Sequence, residues 1–476
     1  MASLNPNSSL KLHELCRIAP PPSSPKSSFS LTFFDLLWLR FHPVERLFFF
    51  SVPHLHPSSF FDNIVHMLKR SLSLTLQHFL PLASNIVWPS GSPKPIVQYN
   101  PGDSVSLAIA VSDSNMNSLL DNLPCDASMS RAFVPNLDSS DSFASILSLQ
   151  ITLFPNEGFS IGVTSHHACA DGKSSTMFIK AWAYLCRRQA ENESSGLLPQ
   201  ELQPFLDKEV IIDPRGIGAA YIDGWLGMDL IQKKQSLKIM YDIFAPKVEG
   251  SARATFKLKR GDLDRIKERV LQKWESHKAE DERADSTVPK PQSLSTFVLT
   301  AAYVWICLAK AMEITEQRTK KILFGFMVDC RSRLEPRIPE NYFGNCVMPQ
   351  FTETLPENPS NIEDGIVIAA KKMHRKIRKI QKEKGVLDGA ETLFTRFSMP
   401  NEDSQVIGVA GSTQFRVYQA DFGWGRPEKV EITSVDRNIS MGMAESKDGD
   451  GGVEVGLVLK QHLMDQFASL FQRGIK

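Results

Sequence analysis

Apolar positions along the middle of the chain first follow the spacing of strands. Ile146-Leu147-Ser148-Leu149-Gln150-Ile151-Thr152-Leu153 and Phe159-Ser160-Ile161-Gly162-Val163 read as two strands, and Pro155-Asn156-Glu157-Gly158 between them has the composition of a turn. The period then changes. From Met177 to Leu185 the apolar residues recur on helical faces, so the chain passes from strand to helix across His166-His167-Ala168-Cys169-Ala170-Asp171-Gly172. A short connection held at both ends by regular structure is where catalytic groups are commonly positioned.

The same reading gives a strand at Leu47–Val52, a helical stretch near Phe61–Phe79 and a strand near Pro95–Tyr99, an α/β first half placed at residues 1–205. Between Glu191 and Lys234 the pattern weakens around the breakers Glu193-Ser194-Ser195-Gly196 and Asp213-Pro214-Arg215-Gly216, so residues 206–235 are predicted to be a crossover segment. A second α/β half, residues 236–476, comes after it. It is predicted to hold a strand at Ala252–Leu258, a helix at Gly261–Lys278, a charged and mobile surface loop at Lys278–Pro291, and an apolar helix at Ser295–Ala311. A strand at Leu323–Val328 and a hairpin of Ile439–Ala444 with Val453–Leu459 complete it. The length of 476 residues agrees with two domains, being well beyond the roughly 250–300 at which single cores stop growing.

Composition narrows the function classes. Hydrophobic residues at 42% and charged residues at 22% are those of an ordinary globular protein, and a net charge of +1 with no basic block among aromatics gives no surface for nucleic acid. Seven scattered cysteines, none in a C-x-x-C pair, fit a reducing compartment. The segment from Met1 to Ser30 lacks the apolar core of a signal peptide, and Leu47–Val52 is too short to cross a membrane. A soluble cytoplasmic protein without a membrane partner is expected.

An imidazole and a carboxylate four positions apart, at His167 and Asp171, have the makings of a general base with a supporting acid. The cluster His166, His167, Cys169 and Asp171 could instead bind zinc, but a catalytic zinc needs three protein ligands and no second ligand cluster stands out, so no metal is expected. Cys169 reads either as a nucleophile or, with nothing to lower its pKa, as a small apolar filler. Gly216-x-Gly218 lacks the third glycine of a nucleotide loop, and neither G-x-x-x-x-G-K-[ST] nor G-x-S-x-G occurs. The run Lys447-Asp448-Gly449-Asp450-Gly451-Gly452 is a turn without the spacing of a calcium loop. Tyr342-Phe343-Gly344-Asn345-Cys346 and Asp421-Phe422-Gly423-Trp424-Gly425 also stand out; the second reads as a rigid turn anchored by Asp421.

Together, His167-x-x-x-Asp171-Gly172, Tyr342 to Cys346 and Asp421 to Gly425 resemble the BAHD family of plant acyl-CoA-dependent acyltransferases, over nearly the whole chain from Leu31-Thr32-Phe33-Phe34-Asp35 onward. The resemblance implies an α/β fold of two chloramphenicol-acetyltransferase-like domains with mixed sheets and a central solvent channel. It makes His167 the general base, with His166 at a variable position, and Asp171 a structural partner turned from the substrate and held by an arginine such as Arg331. Asp421, Phe422, Gly423, Trp424 and Gly425 become a motif away from the site that keeps the channel in shape. Tyr342, Phe343, Gly344, Asn345 and Cys346 mark the aliphatic branch, whose members mostly transfer malonyl to flavonoid, anthocyanin or other phenolic glycosides. The resemblance also implies a monomer with no permanently bound cofactor, malonyl-CoA as co-substrate, and a flavonoid or isoflavonoid glucoside as acceptor through its glucose 6-hydroxyl. Transfer of acetyl or hydroxycinnamoyl to an alcohol or amine, and a non-catalytic relative that kept the fold, are the alternatives. Arg331, Arg333 and Lys173 are candidates by proximity for meeting a malonyl carboxylate, though each reads more readily as an ordinary solvated surface charge. An unperturbed imidazole would make the rate fall below about pH 6.5, and a profile flat to pH 5 would argue for another base.

Overall fold

The computed structural model describes residues 10–191, 196–228, 235–243, 245–275, 289–316, 321–352, 354–355, 361–382, 385–398 and 404–475. Two large mixed sheets carry it. In the first, the order of strands is Leu10–Ile18, Val105–Ser112, Leu147–Phe154, Gly158–Ser165, Val44–Ser51 and Lys429–Ile432. The second runs Val347–Phe351, Lys321–Asp329, Ser404–Gly411, Ser440–Glu445, Val453–Lys460, Ser251–Leu258 and Cys125–Asp126. Each is therefore completed by a strand from the other half of the chain: Lys429–Ile432 pairs with Val44–Ser51, and Cys125–Asp126 with Ser251–Leu258. Glu45, Arg131, Arg253, Asp436 and Arg437 form a buried ion network where the sheets meet. A smaller four-stranded sheet joins Ser27–Ser30, Ile96–Tyr99, Asn85–Val87 and Phe143–Ser145.

The predicted hairpin forms, with Phe159 opposite Leu153 and Val163 opposite Leu149. Every residue of Leu147–Phe154 and Gly158–Ser165 is buried, which places this pair at the centre of the first sheet. The next helix, Gly172–Ala190, lies against His66–His78, and the Trp182 indole donates to Leu68 O at 3.2 Å and to Ser71 Oγ at 3.0 Å. In the second half the helix Thr296–Glu316 is apolar on every side because Ile362–Lys382 and Gln461–Ile475 both pack on it. It is long and apolar enough to cross a membrane, yet most of it is buried inside the fold.

Two expectations change. The segment predicted as a helix to Lys278 is Arg260–Gln272, and of Lys278–Pro291 all but residues 289–291 lies outside the described residues. The breaker Glu193-Ser194-Ser195 also lies outside them. The weak stretch after Asp213 contains a helix, Ile217–Gly227. Gly216 starts it in the left-handed region, and the Asp213 carboxylate accepts from the Ile217 and Gly218 amides at 2.9 and 2.8 Å. The amides a phosphate would use are thus already bonded to a carboxylate, so Gly216-x-Gly218 is a helix start.

Candidate active site

The loop from His166 to Asp171 leaves the centre of the first sheet and turns directly into Gly172–Ala190. Its entry is fixed by His166 N donating to Ile146 O at 2.8 Å, and a tight turn comes next, with Cys169 N donating to His166 O at 3.0 Å. At its far end Asp171 caps the helix, accepting from Ser174 N at 2.8 Å, a bond that contributes about 1 kcal/mol. The Phe415 ring packs closely over the first helical position: a Cβ on Gly172 would stand 2.6 Å from it, so a larger residue there would push the ring aside.

Asp171 is buried, and both its oxygens are taken by groups other than the imidazole. Oδ2 faces Arg331 Nη2 at 2.9 Å and accepts from Cys346 N at 3.2 Å, while Oδ1 holds the helix cap. Burial alone would raise its pKa, but the Arg331 guanidinium and the amides of Ser174 and Cys346 outweigh it and hold the carboxyl below its usual range. Arg331 is completely buried. Its Nη1 meets Asp329 Oδ1 at 3.1 Å, and its Nη2 also donates to Tyr342 O at 3.1 Å and Gly344 O at 3.3 Å. Arg331 therefore braces Asp171 and is not available to an acyl carboxylate. Lys173 is paired with Glu340 and Asp329, and Arg333 donates to Asp329 O at 2.6 Å, so all three sequence candidates for that carboxylate have other partners.

The imidazole of His167 stacks on the Trp38 indole, with ring centroids 4.1 Å apart and planes 13° from parallel. Phe41 meets it edge-on at 6.3 Å. Its Nδ1 is buried and hydrogen-bonds to no other side chain or backbone group among the described residues. Burial pushes His167 down to about 4, against opposing pulls from its own backbone and the Asp171 carboxylate. The ring is neutral at pH 7. His166, pushed down to about 3 by burial and by His167, points into the core, and its Nδ1 accepts from Ala168 N at 3.2 Å. Cys169 is buried and its thiol is pushed up to about 12, again by burial, so it is no nucleophile. Among the described residues no three of His, Cys, Asp and Glu are placed to hold a metal ion.

Trp38 was not legible as a site residue. A stacked aromatic pair contributes about 0.5–1.5 kcal/mol beyond its buried area, so Trp38→Leu is expected to lower kcat by up to ~10-fold while Trp38→Phe retains most of it. Steady-state kinetics on the two variants, with the KM for acyl-CoA unchanged in both, checks this.

The other two motifs lie on either side of the loop. Asn345 reaches the His167 backbone, donating from Nδ2 to the His167 carbonyl at 2.8 Å. The turn at Asp421 is held by Oδ1 accepting from Gly423 N at 2.8 Å and Gly425 N at 3.1 Å, both glycines having positive φ (110° and 95°). Phe422 is buried, edge-on to Phe50 at 5.6 Å and to Trp182 at 5.0 Å, and Trp424 is edge-on to Phe159 at 5.8 Å. The motif thus clamps the strands and the helix that carry the His167 loop, and its carboxylate holds its own turn.

Two mixed sheets closed by exchanged strands carry, on a braced strand-to-helix loop, a half-buried imidazole that is neutral at pH 7. Residues 9–473 match the Transferase family model, and the chain belongs to that family, the BAHD acyl-CoA-dependent acyltransferases. It is 37% identical to phenolic glucoside malonyltransferase 1 of Arabidopsis thaliana, over 98% of each chain. With malonyl-CoA:anthocyanidin 5-O-glucoside-6''-O-malonyltransferase of Arabidopsis thaliana it shares 38% identity, over 99% of this chain and 100% of the other. Among solved structures vinorine synthase has the same fold, with a TM-score of 0.65 and 18% identity over 97% of this chain and 98% of the other. The expected α/β architecture of the chloramphenicol-acetyltransferase type is thereby established.

Proposed function

We propose that this enzyme transfers malonyl from malonyl-CoA to a sugar hydroxyl, the glucose 6-hydroxyl, of a flavonoid, isoflavonoid or other phenolic glucoside, with His167 as the general base. The observation that carries the chemistry is the His167 imidazole, stacked on Trp38 with its Nδ1 unbonded among the described residues, on a loop fixed at both ends; burial favours its neutral form. The malonyltransferase relatives, matched along their whole length, support the donor and the acceptor class.

An alcohol attacks a thioester poorly until its proton is removed. His167 takes that proton as the oxygen adds to the acyl carbon; the tetrahedral oxyanion collapses and expels the CoA thiolate, which the imidazolium protonates. Asp171, ionised and fully bonded, holds the loop and takes no proton. A place in the cytoplasm is in keeping with the seven free thiols.

The pH profile is set by burial. A base must be unprotonated, and a depressed pKa extends the unprotonated form to lower pH. The rate is therefore expected to stay level from pH 8 to pH 5 and to fall near pH 4, which replaces the unperturbed expectation of a fall near 6.5. A kcat/KM profile recorded on protein shown by circular dichroism to be folded at each pH checks it; an inflection near 6.5 would contradict a desolvated His167.

A donor panel tests the substrate reading. With one phenolic glucoside offered malonyl-, acetyl- and coumaroyl-CoA in turn, the product is expected to gain malonyl in large excess over the others. Preferential acetyl or coumaroyl transfer would overturn the malonyl assignment.

A further inference from the structure

We infer that Asn345, together with Asp35, is a positioning residue for the base: a hydrogen-bond bridge that sets the His167 backbone when the two halves of the chain are docked. The inference rests on His167 being that base. Asn345 is completely buried. Its amide nitrogen divides its two hydrogens between Asp35 Oδ1 at 3.0 Å and the His167 carbonyl at 2.8 Å, and its backbone N–H goes to the same Asp35 oxygen at 3.0 Å. The other Asp35 oxygen accepts from Thr32 N at 3.0 Å and Thr32 Oγ1 at 2.9 Å and faces Lys208 Nζ at 3.6 Å. A single carboxylate, itself held on both oxygens, thus orients the amide that grips the peptide after His167.

The chemistry asks for an amide at this place. A carboxylate would turn acceptors toward both the Asp35 carboxylate and the His167 carbonyl, and a hydroxyl has one hydrogen for two acceptors. The peptide gripped lies between the two fixed ends of the loop, His166 N on Ile146 O and Asp171 on Arg331. Asp171 secures the exit and Asn345 secures the residue that carries the ring. Asp35 lies three positions before Trp38, so one short N-terminal segment, Phe33–Leu36 and its continuation, governs both the backbone and the ring plane of His167. Because Asn345, in the connection before the strand Val347–Phe351, belongs to the second half, the base is set only in the assembled molecule.

A displacement of about 1 Å at a reacting group can cost ~100-fold in rate. Asn345→Ser is accordingly expected to lower kcat by ~30- to 100-fold with the KM and Kd for malonyl-CoA within about 3-fold of wild type. The full chain is assayed with malonyl-CoA and a phenolic glucoside, beside thermal unfolding and malonyl-CoA titration of the same samples. Asp35→Asn, which keeps the shape and removes the charge, is expected to show the same split between kcat and KM and serves alone if Asn345→Ser does not fold. Since both act through one bridge, the double variant falls no further than the worse single. Wild-type kcat in a folded single variant, whatever its melting temperature, or multiplicative losses in the double variant, would overturn the bridge. His167→Ala, run alongside, separates the two readings: wild-type turnover there overturns the base and the bridge with it, whereas an inactive His167→Ala beside a fully active Asn345→Ser overturns the bridge alone.

Discussion

His167→Ala is expected to leave a folded protein that binds malonyl-CoA with nearly unchanged affinity and turns over ~100- to 10,000-fold more slowly, the usual contribution of a general base. The magnitude is large because, among the described residues, the neighbouring titratable groups are not placed to replace the imidazole. His166 is pointed into the core with Nδ1 bonded to the Ala168 amide, and Asp171 is ionised with both oxygens occupied. The folding cost is small by comparison, since the loop is held by the backbone of His166, by Asp171 and by Asn345 on the His167 carbonyl, none of which needs the ring. Single-turnover kinetics beside malonyl-CoA titration distinguishes a lost chemical step from lost binding.

Arg331→Ala is expected to be the most damaging change to stability, by about 3–5 kcal/mol, because it strands the buried Asp171 carboxylate. Desolvation raises the pKa of Asp171, and Arg331 is the chief group opposing it, so without the guanidinium the carboxylate must be buried unpaired or take up a proton. Asp329 loses one of its partners as well, but it is partly exposed and keeps Lys173 at 3.6 Å, so that loss costs little. The pair is coupled: Asp171→Asn combined with Arg331→Met is expected to be less destabilised than Arg331→Ala alone, since no charge is left without its counterpart. Urea denaturation of Arg331→Ala, of Asp171→Asn and Arg331→Met singly, and of the double variant gives the comparison; additive losses would show that the two residues act independently. Activity is expected to fall with the brace, as Asp171 sets the exit of the His167 loop.

Much of the fold is readable from local pattern, and the part that is not is long-range. The central hairpin and the Gly172–Ala190 helix are given by periods of two and of 3.6, and their buried faces agree with the residues that set those periods. The strand Leu10–Ile18 is not legible, because the register shifts between Leu12 and Glu14 and most of its side chains are exposed at the sheet edge, which breaks the alternation. The exchange of Lys429–Ile432 into the first sheet leaves no local mark, since its partner Val44–Ser51 is nearly four hundred positions away. The site divides in the same way. His167 and Asp171 are neighbours in sequence and can be picked out together, and Arg331 comes with the family resemblance. Asn345 is visible only as part of a motif, and Trp38 not at all, because each meets His167 across a tertiary contact, the Asn345 one spanning 178 positions. Thr32-x-x-Asp35 does carry a signal, the spacing of a helix-capping pair, but its second use, holding Asn345, appears only in three dimensions.

In the proposed reaction malonyl passes directly from the CoA thioester to a sugar hydroxyl, with His167 holding the proton and no acyl group ever resting on the protein. Rapid quenching of the enzyme with malonyl-CoA, followed by intact-mass measurement with and without a phenolic glucoside, tests it most directly. Direct transfer leaves the protein unmodified in both cases and yields malonylated glucoside with an equal amount of free CoA when the acceptor is present. A malonylated protein that forms without acceptor and discharges its acyl group when the glucoside is added would contradict it.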